Sequence, residues 1–236
     1  MPVIEGDTVR SRDAIVIDVV SDMVCPWCYI GKRKLEAALG ELAAHDSDAE
    51  PSVRWHPFQL NPDLPPQGVS RSAYLHAKFG GEMRAAEIYA RVKAVGAEVG
   101  IAFDFDRIEV QPNTLAAHRL IAWVQERADA GLTSGLVERL FQAYFVQGRA
   151  IGEPDVLAQI ASEAGLELAA ARAMLASSEG LAAVLGEDRE ARNVGINGVP
   201  FFIFNGSIAV SGAHEPKTLL EAIAKARSRS TEGLTR

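Results

Sequence analysis

Two strand-like blocks, set far apart with only helix-like sequence between them, constrain this chain more than any other feature. In the first block, Ala14–Ser21 is rich in Val and Ile and almost continuously apolar, which predicts a central strand buried on both faces. Ser52–Leu60 reads as a second strand, and its Pro57 places it at a sheet edge or a bulge. Between them, Tyr29–Ala44 reads as a helix with Ile30, Leu35, Leu39 and Leu42 on one stripe and Lys32, Arg33, Lys34, Glu36 and Glu41 elsewhere. The second block comes near the other end. Val199–Phe204 and Ser207–Ser211 flank Asn205-Gly206, a hairpin signal because a type I′ turn needs positive φ at both central positions. Glu215–Arg229 follows as an amphipathic helix with Leu219, Leu220, Ile223 and Ala226 on its apolar face.

The blocks are βαβ and ββα, and neither can bury a sheet by itself. Joined, they predict one four-stranded α/β domain whose halves are residues 14–65 and 186–229. Residues 66–185 are then an all-helical insertion. From Arg71 to Asn193 the chain is rich in Ala, Leu, Glu and Arg and lacks a strand pattern. Helices are expected over Arg71–Lys78, Glu82–Val99, Thr114–Ala130, Thr133–Val146, Pro154–Ala164, Leu168–Ala176 and Leu181–Asn193. Gly100, Gly131, Gly148, Gly165 and Gly195 stand just past helical runs, and Pro154 suits a first helical turn.

At 236 residues the chain is long enough to build a core without disulfides or metals. Its formal charge of −7 argues against general nucleic-acid affinity, which needs a basic face. Met1–Asp13 is charged and has no apolar h-region, and no run is long enough to span a membrane, so a cytoplasmic location is expected. Ser230–Arg236 is expected to be a disordered tail.

Only two cysteines are present, Cys25 and Cys28, and they close the motif Cys25-Pro26-Trp27-Cys28 directly after the first strand. A secreted disulfide scaffold spreads its cysteines along the chain; a reducing compartment makes a lone CxxC catalytic or metal-binding. On the first turn of a helix the two sulfurs can close a ring without straining the backbone. Cys25 then meets free N–H groups and the positive end of the helix dipole, which favour thiolate and lower its pKa. Cys25 is the expected attacking thiol and Cys28, one turn in and more shielded, the resolving one. Pro26 has no N–H to lose, and Trp27 offers an apolar surface beside the sulfur. Structural zinc would need further ligands, and the histidines at 45, 56, 76, 118 and 214 are isolated, so no metal is expected. Inert core cysteines are the blander alternative, which the strand-CxxC-helix context disfavours. Val199-Pro200 is the second unusual feature, since Pro in a buried strand cannot donate to a ladder.

Together these features resemble the thioredoxin fold, and the long helical insertion resembles the DsbA family of thiol–disulfide oxidoreductases. Asp18 to Gly31 around the CPWC motif, Gln111-Pro112-Asn113-Thr114 with Ala117-His118-Arg119, and Gly195 to Phe202 are similar to its cytoplasmic FrnE-like branch. The resemblance implies that Pro200 is cis and faces the dithiol, and that the backbone at Val199 pairs with a substrate chain by strand addition. It implies protein or small-molecule thiol and disulfide substrates and no resident cofactor; relatives in this architecture often dimerise. It also implies a buried acid near the dithiol that moves protons at raised pKa. Asp18 is the candidate, while Asp22 reads as a solvated loop acid or a helix cap. His118, among Leu115 and Trp123, reads first as a packed histidine and second as a catalytic one. Trp55 and Phe58 read as core. Two other functions share the architecture. One is a glutathione-dependent isomerase related to 2-hydroxychromene-2-carboxylate isomerase, whose relatives typically keep a single Ser where this chain has the cysteine pair. The other is a thioredoxin-like chaperone.

Overall fold

The two strand-bearing blocks meet in one sheet. A computed structural model describes residues 14–47 and 49–232. The strands β1 (Ala14–Ser21), β2 (Glu50–Pro57), β5 (Phe201–Phe204) and β6 (Ile208–Ser211) form a mixed sheet in the order β2-β1-β5-β6. The β1–β2 pair is parallel and the other pairs are antiparallel. β2 is an edge strand, and Pro57 is its last residue, where the missing N–H costs no ladder bond. In the hairpin loop Asn205 and Gly206 take φ of 47° and 63°, as the sequence requires. Asn205 also extends the sheet sideways: its N–H donates to the Val16 carbonyl and its side-chain oxygen accepts from the Val16 N–H, both at 2.8 Å.

Helix α1 (Pro26–His45) links β1 to β2. Between β2 and β5 run α2 (Arg71–Phe79), α3 (Glu82–Glu98), α4 (Leu115–Gln125), α5 (Ala130–Phe145), α6 (Pro154–Glu163), α7 (Leu168–Ala176) and α8 (Leu181–Asn193). A two-residue pairing of β3 (Val69–Ser70) with β4 (Val110–Gln111) interrupts them, too short to leave a periodic signal. The third and fourth helices of this series differ most from expectation, α4 ending early and α5 starting early around Asp129, whose carboxylate caps α5 through the Leu132 N–H. α8 runs unbroken across position 185, where the sequence suggested a boundary. The last helix, α9 (Pro216–Glu232), reaches into the segment expected to be disordered; residues 1–13 and 233–236 lie outside the described residues. Among the described residues no single helix is long and apolar enough to cross a membrane.

Alternation along β1 assigns the faces. Ile15, Ile17 and Val19 join the main core with α1, α9 and the insertion, while Val20 packs with Phe58, Ala191 and Ile196 under α8. α1 does not keep the one-sided stripe the sequence suggests. Lys32 and Lys34 are buried, because α5 covers one flank of the helix and α9 another. Each finds a counter-ion: Lys32 donates to Glu36 and to Glu138 of α5, and Lys34 to Glu215. Burial alone would raise the Glu138 carboxyl, but Lys32, the Tyr29 hydroxyl and Arg33 outweigh it and hold it below its usual range.

Asp18 points to the opposite face of β1 from Ile17 and Val19. Its carboxylate accepts from Arg54 Nε (2.7 Å) and Nη2 (3.0 Å) and contacts His56 Nε2 (2.8 Å), while His56 Nδ1 reaches Glu187 of α8 (3.1 Å). Hydrogen bonds to Asp18 and Glu187 outweigh burial and push His56 from 6.5 up to about 9. A folded-state pKa above the unfolded one stabilises fully below the unfolded value. The contribution is lost as pH rises through the folded value. The tie between β2 and α8 is therefore expected to weaken as pH climbs from 6.5 through about 9. Denaturant unfolding across that window should show a falling stability in the wild-type protein and a flatter profile in His56→Gln; parallel profiles would remove His56 as the cause.

Candidate active site

The dithiol sits where β1 gives way to α1. Cys25 takes the position just before the helix with extended backbone (φ −95°, ψ 111°), Pro26 occupies the first helical turn, and no acid stands in that turn. The backbone closes tightly here: the Cys25 N–H donates to the Asp22 carbonyl and the Cys28 N–H to the Cys25 carbonyl, both at 3.0 Å. Both cysteines are free thiols. Trp27 stands beside them as one of the exposed large apolar side chains, while Pro26 is half-buried.

The second block supplies the facing wall. The Val199–Pro200 peptide is cis, and the Cys25 thiol donates to the Val199 carbonyl at 3.6 Å. Pro200 lies against Gly31, one turn further along α1. A Cβ at Gly31 would come within 2.9 Å of Pro200 Cγ and 3.2 Å of Phe202 Cζ. Glycine at 31 is therefore what lets α1 approach β5 closely enough for Cys25 and Val199 to touch. The structure thus brings together Cys25, Cys28, Pro26, Trp27, Val199 and Pro200, drawn from segments 174 residues apart.

The two sulfurs have different surroundings. Burial, and then the neighbouring Cys25, hold the Cys28 thiol well above the ordinary cysteine value; the Ser21 hydroxyl and the Asp22 backbone work against this.

Asp18 is not part of this site. It lies on the other face of β1, and the His56 and Arg54 bonds outweigh burial and lower its pKa, the opposite of what a proton-transfer acid near neutral pH needs. Asp22 is neither solvated nor a helix cap: it is fully buried, and its Oδ2 accepts from the Leu60 N–H at 2.7 Å, tying the loop before Cys25 to the chain leaving β2. His118 of α4 is also buried, with its Nε2 3.4 Å from Asp22 Oδ1. A buried Asp in a polar loop and a histidine on an apolar helix face carry no sequence mark of being neighbours. Trp55 and Phe58 are core, as their surroundings suggested.

A groove of about 460 Å³ between the 64–67 loop and the start of α6 is lined by Leu64, Asn113, Arg119 and Pro154, apart from the dithiol. Among the described residues no three His, Cys, Asp or Glu side chains gather as a metal site.

The family model of the DSBA-like thioredoxin domain matches residues 16–224. The chain belongs to this family. A curated relative, the uncharacterized protein YwbO of Bacillus subtilis, is 27% identical over 163 residues, 67% of this chain and 70% of the relative. Among solved structures, the probable DsbA oxidoreductase SCO1869 of Streptomyces coelicolor is 29% identical, with a TM-score of 0.78 over 90% of this chain and 89% of that one. The cytosolic disulfide reductase DsbM of Pseudomonas aeruginosa, solved with GSH, is 20% identical, with a TM-score of 0.54 over 94% of this chain and 100% of that one. A 2-hydroxychromene-2-carboxylate isomerase shares the fold at 14% identity, with a TM-score of 0.64 over 92% of this chain and 98% of that one. In the DSBA-like frame, the sheet and α1 carry the thiols while α2 to α8 form the helical insertion.

The Gly31 contact gives a direct test of how the DSBA-like site is assembled. Gly31→Ala forces Pro200 and Phe202 outward, and overpacking of this kind costs about 1–3 kcal/mol. Denaturant unfolding should show that loss, and reactivity of Cys25 toward a small disulfide should change with it. Wild-type stability in the variant would mean the two elements are not held by this approach.

Proposed function

We propose that the protein is a thiol–disulfide oxidoreductase that works through Cys25 and Cys28 on protein or small-molecule disulfides. The observation that carries this reading is the asymmetric pair itself: two free thiols one helical turn apart, Cys25 at the helix start beside the Val199 carbonyl and Cys28 buried behind it. Cys25 thiolate attacks a substrate disulfide. One substrate S–S bond breaks, a mixed disulfide forms, and a substrate thiolate leaves. Cys28 loses its proton and attacks Cys25 Sγ; the mixed disulfide breaks, the second substrate thiolate leaves, and two electrons have passed to the substrate. Every step reverses when the Cys25–Cys28 disulfide meets a substrate dithiol. The reduction potential sets the direction, and about 30 mV shifts the balance tenfold.

Val199 and Pro200 are read as the substrate-facing edge, where an extended substrate chain adds to the backbone, and Pro26 and Trp27 as its apolar border. The reading needs no resident cofactor, metal, nucleic acid or membrane, and it fits a cytoplasmic protein, since a reducing compartment keeps such a pair cycling. A glutathione-dependent isomerase needs one nucleophile position and has no use for Cys28. The presence of both thiols therefore favours exchange.

Reduction of insulin by dithiothreitol tests the proposal. The wild-type protein should accelerate precipitation of the insulin B chain and Cys25→Ser should not. Cys28→Ser should accumulate the mixed disulfide in place of turning over. Equal acceleration by wild type and Cys25→Ser would sink the dithiol reading.

A further inference from the structure

A cavity of about 690 Å³ lies between α2, α3 and the 105–109 segment. It belongs to the insertion: none of the residues lining it comes from α1 or from the four-stranded sheet. Much of its wall is apolar, with Leu75 from α2, Ala86 from α3, and Phe105 and Ile108 from the segment. Met83, one of the exposed large apolar side chains, stands at its edge.

Arg71, the first residue of α2, brings a charge to this wall. Its side chain is buried, yet among the described residues no carboxylate pairs with it. Nη1 donates to Gln111 Oε1 at 2.5 Å and reaches the Tyr144 hydroxyl at 3.5 Å, and Nη2 donates to the Tyr89 hydroxyl at 2.7 Å; all three acceptors are neutral. Nε is buried without a partner, and so is Nε2 of the adjoining Gln111. The rings of Tyr74 and Tyr89 lie 5.4 and 5.2 Å from the guanidinium carbon, which favours the cation but supplies no acceptor for the donors left over. Lys32 and Lys34, buried on α1, each meet a carboxylate, whereas Arg71 meets none. A buried cation with spare donors and no counter-ion is an unfavourable arrangement unless an anion completes it.

We propose that this cavity binds a small apolar monocarboxylate, its carboxylate on Arg71 and its aliphatic or aromatic body against Leu75, Ala86, Phe105 and Ile108. A guanidinium matches a carboxylate in shape as well as charge. Ser70 and Ser72 add hydroxyls to the same wall, and Ser70 Oγ accepts from the Ala73 N–H at 3.3 Å, which leaves its own proton free to donate. An apolar pocket of this volume with a few convergent polar groups has the make-up of a small-molecule site. The surrounding acids limit the ligand to one negative charge. Glu82, Asp106 and Glu109 also line the cavity and are exposed, and only Asp106 has a cation beside it, Lys93 at 3.5 Å. A second carboxylate or a phosphate group would be repelled there. The inference stands apart from the dithiol reading, since it uses neither thiol.

Titration calorimetry on the full chain tests it with hydrocinnamate and octanoate, each a single carboxylate on an apolar body. At least one should bind at a single saturable site. The uncharged hydrocinnamide and the dicarboxylate phenylsuccinate should bind at least about tenfold more weakly than hydrocinnamate, the size of one lost charge-assisted hydrogen bond. Ala86→Trp places a large ring in the cavity from an exposed helix position and should abolish binding with an unchanged circular dichroism spectrum. Arg71→Gln should weaken it at least about tenfold. No saturable binding of either monocarboxylate by the wild-type protein overturns the proposal and leaves Arg71 as a tie between α2 and β4. Equal affinity for hydrocinnamide removes the carboxylate from the site, and undiminished binding in Ala86→Trp puts the ligand elsewhere; either result overturns it too. Should Arg71→Gln misfold by circular dichroism, the amide comparison and Ala86→Trp decide.

Discussion

Burial of the first turns of α1, from Cys28 to Leu35, is the constraint on which the rest of the molecule depends. A dithiol at a helix N-terminus gains from the dipole only if that end is held in a dry, rigid place. Here the helix is held by the sheet through Gly31 against Pro200, by α9 through Lys34 and Glu215, and by α5 through Tyr29, Lys32 and Glu138. The Tyr29 ring stacks on Phe141 at 4.9 Å and its hydroxyl donates to Glu138 at 2.6 Å, so one side chain contributes both packing and a polar anchor. Two buried lysines on such a helix would be intolerable without partners. Glu138 and Glu215 are therefore conditions for the helix being where it is, though they lie far from Cys28 in sequence.

The two ends of the fold were legible because each carries a strong local signal. Strand β1 has its Val and Ile run, Cys25 and Cys28 have a spacing with few other uses, and Asn205-Gly206 has a backbone conformation few residues accept. The helices of the insertion were legible for the same reason: apolar period and end signals are local. What escaped was pairing between segments. Asp18 looked like the acid of the site because it precedes the cysteines on a buried strand. One residue of register sends a strand side chain to the other face, and sequence proximity says nothing about which face the thiols use. Asp22 looked solvated because loops usually are. It is buried because the chain leaving β2 needs an acceptor for the Leu60 N–H. Lys32 and Lys34 looked like a solvent face because their partners come from other helices.

The insertion also braces the sheet behind the dithiol. Its fourth helix in the chain, α4, carries His118 to within 3.4 Å of Asp22, while the Gln125 side chain of the same helix bonds both the N–H and the carbonyl of Trp55 on β2. These contacts pin α4 to the back of the sheet, directly behind the loop that ends in Cys25. His118 of α4 is part of the cover that keeps Asp22 buried. The two sulfurs sit in different surroundings: Cys25 lies beside the Val199 carbonyl, and Cys28 is buried behind it. Through these contacts the helical insertion braces the segment from which Cys25 and Cys28 project, so helices and sheet form one support for the two thiols.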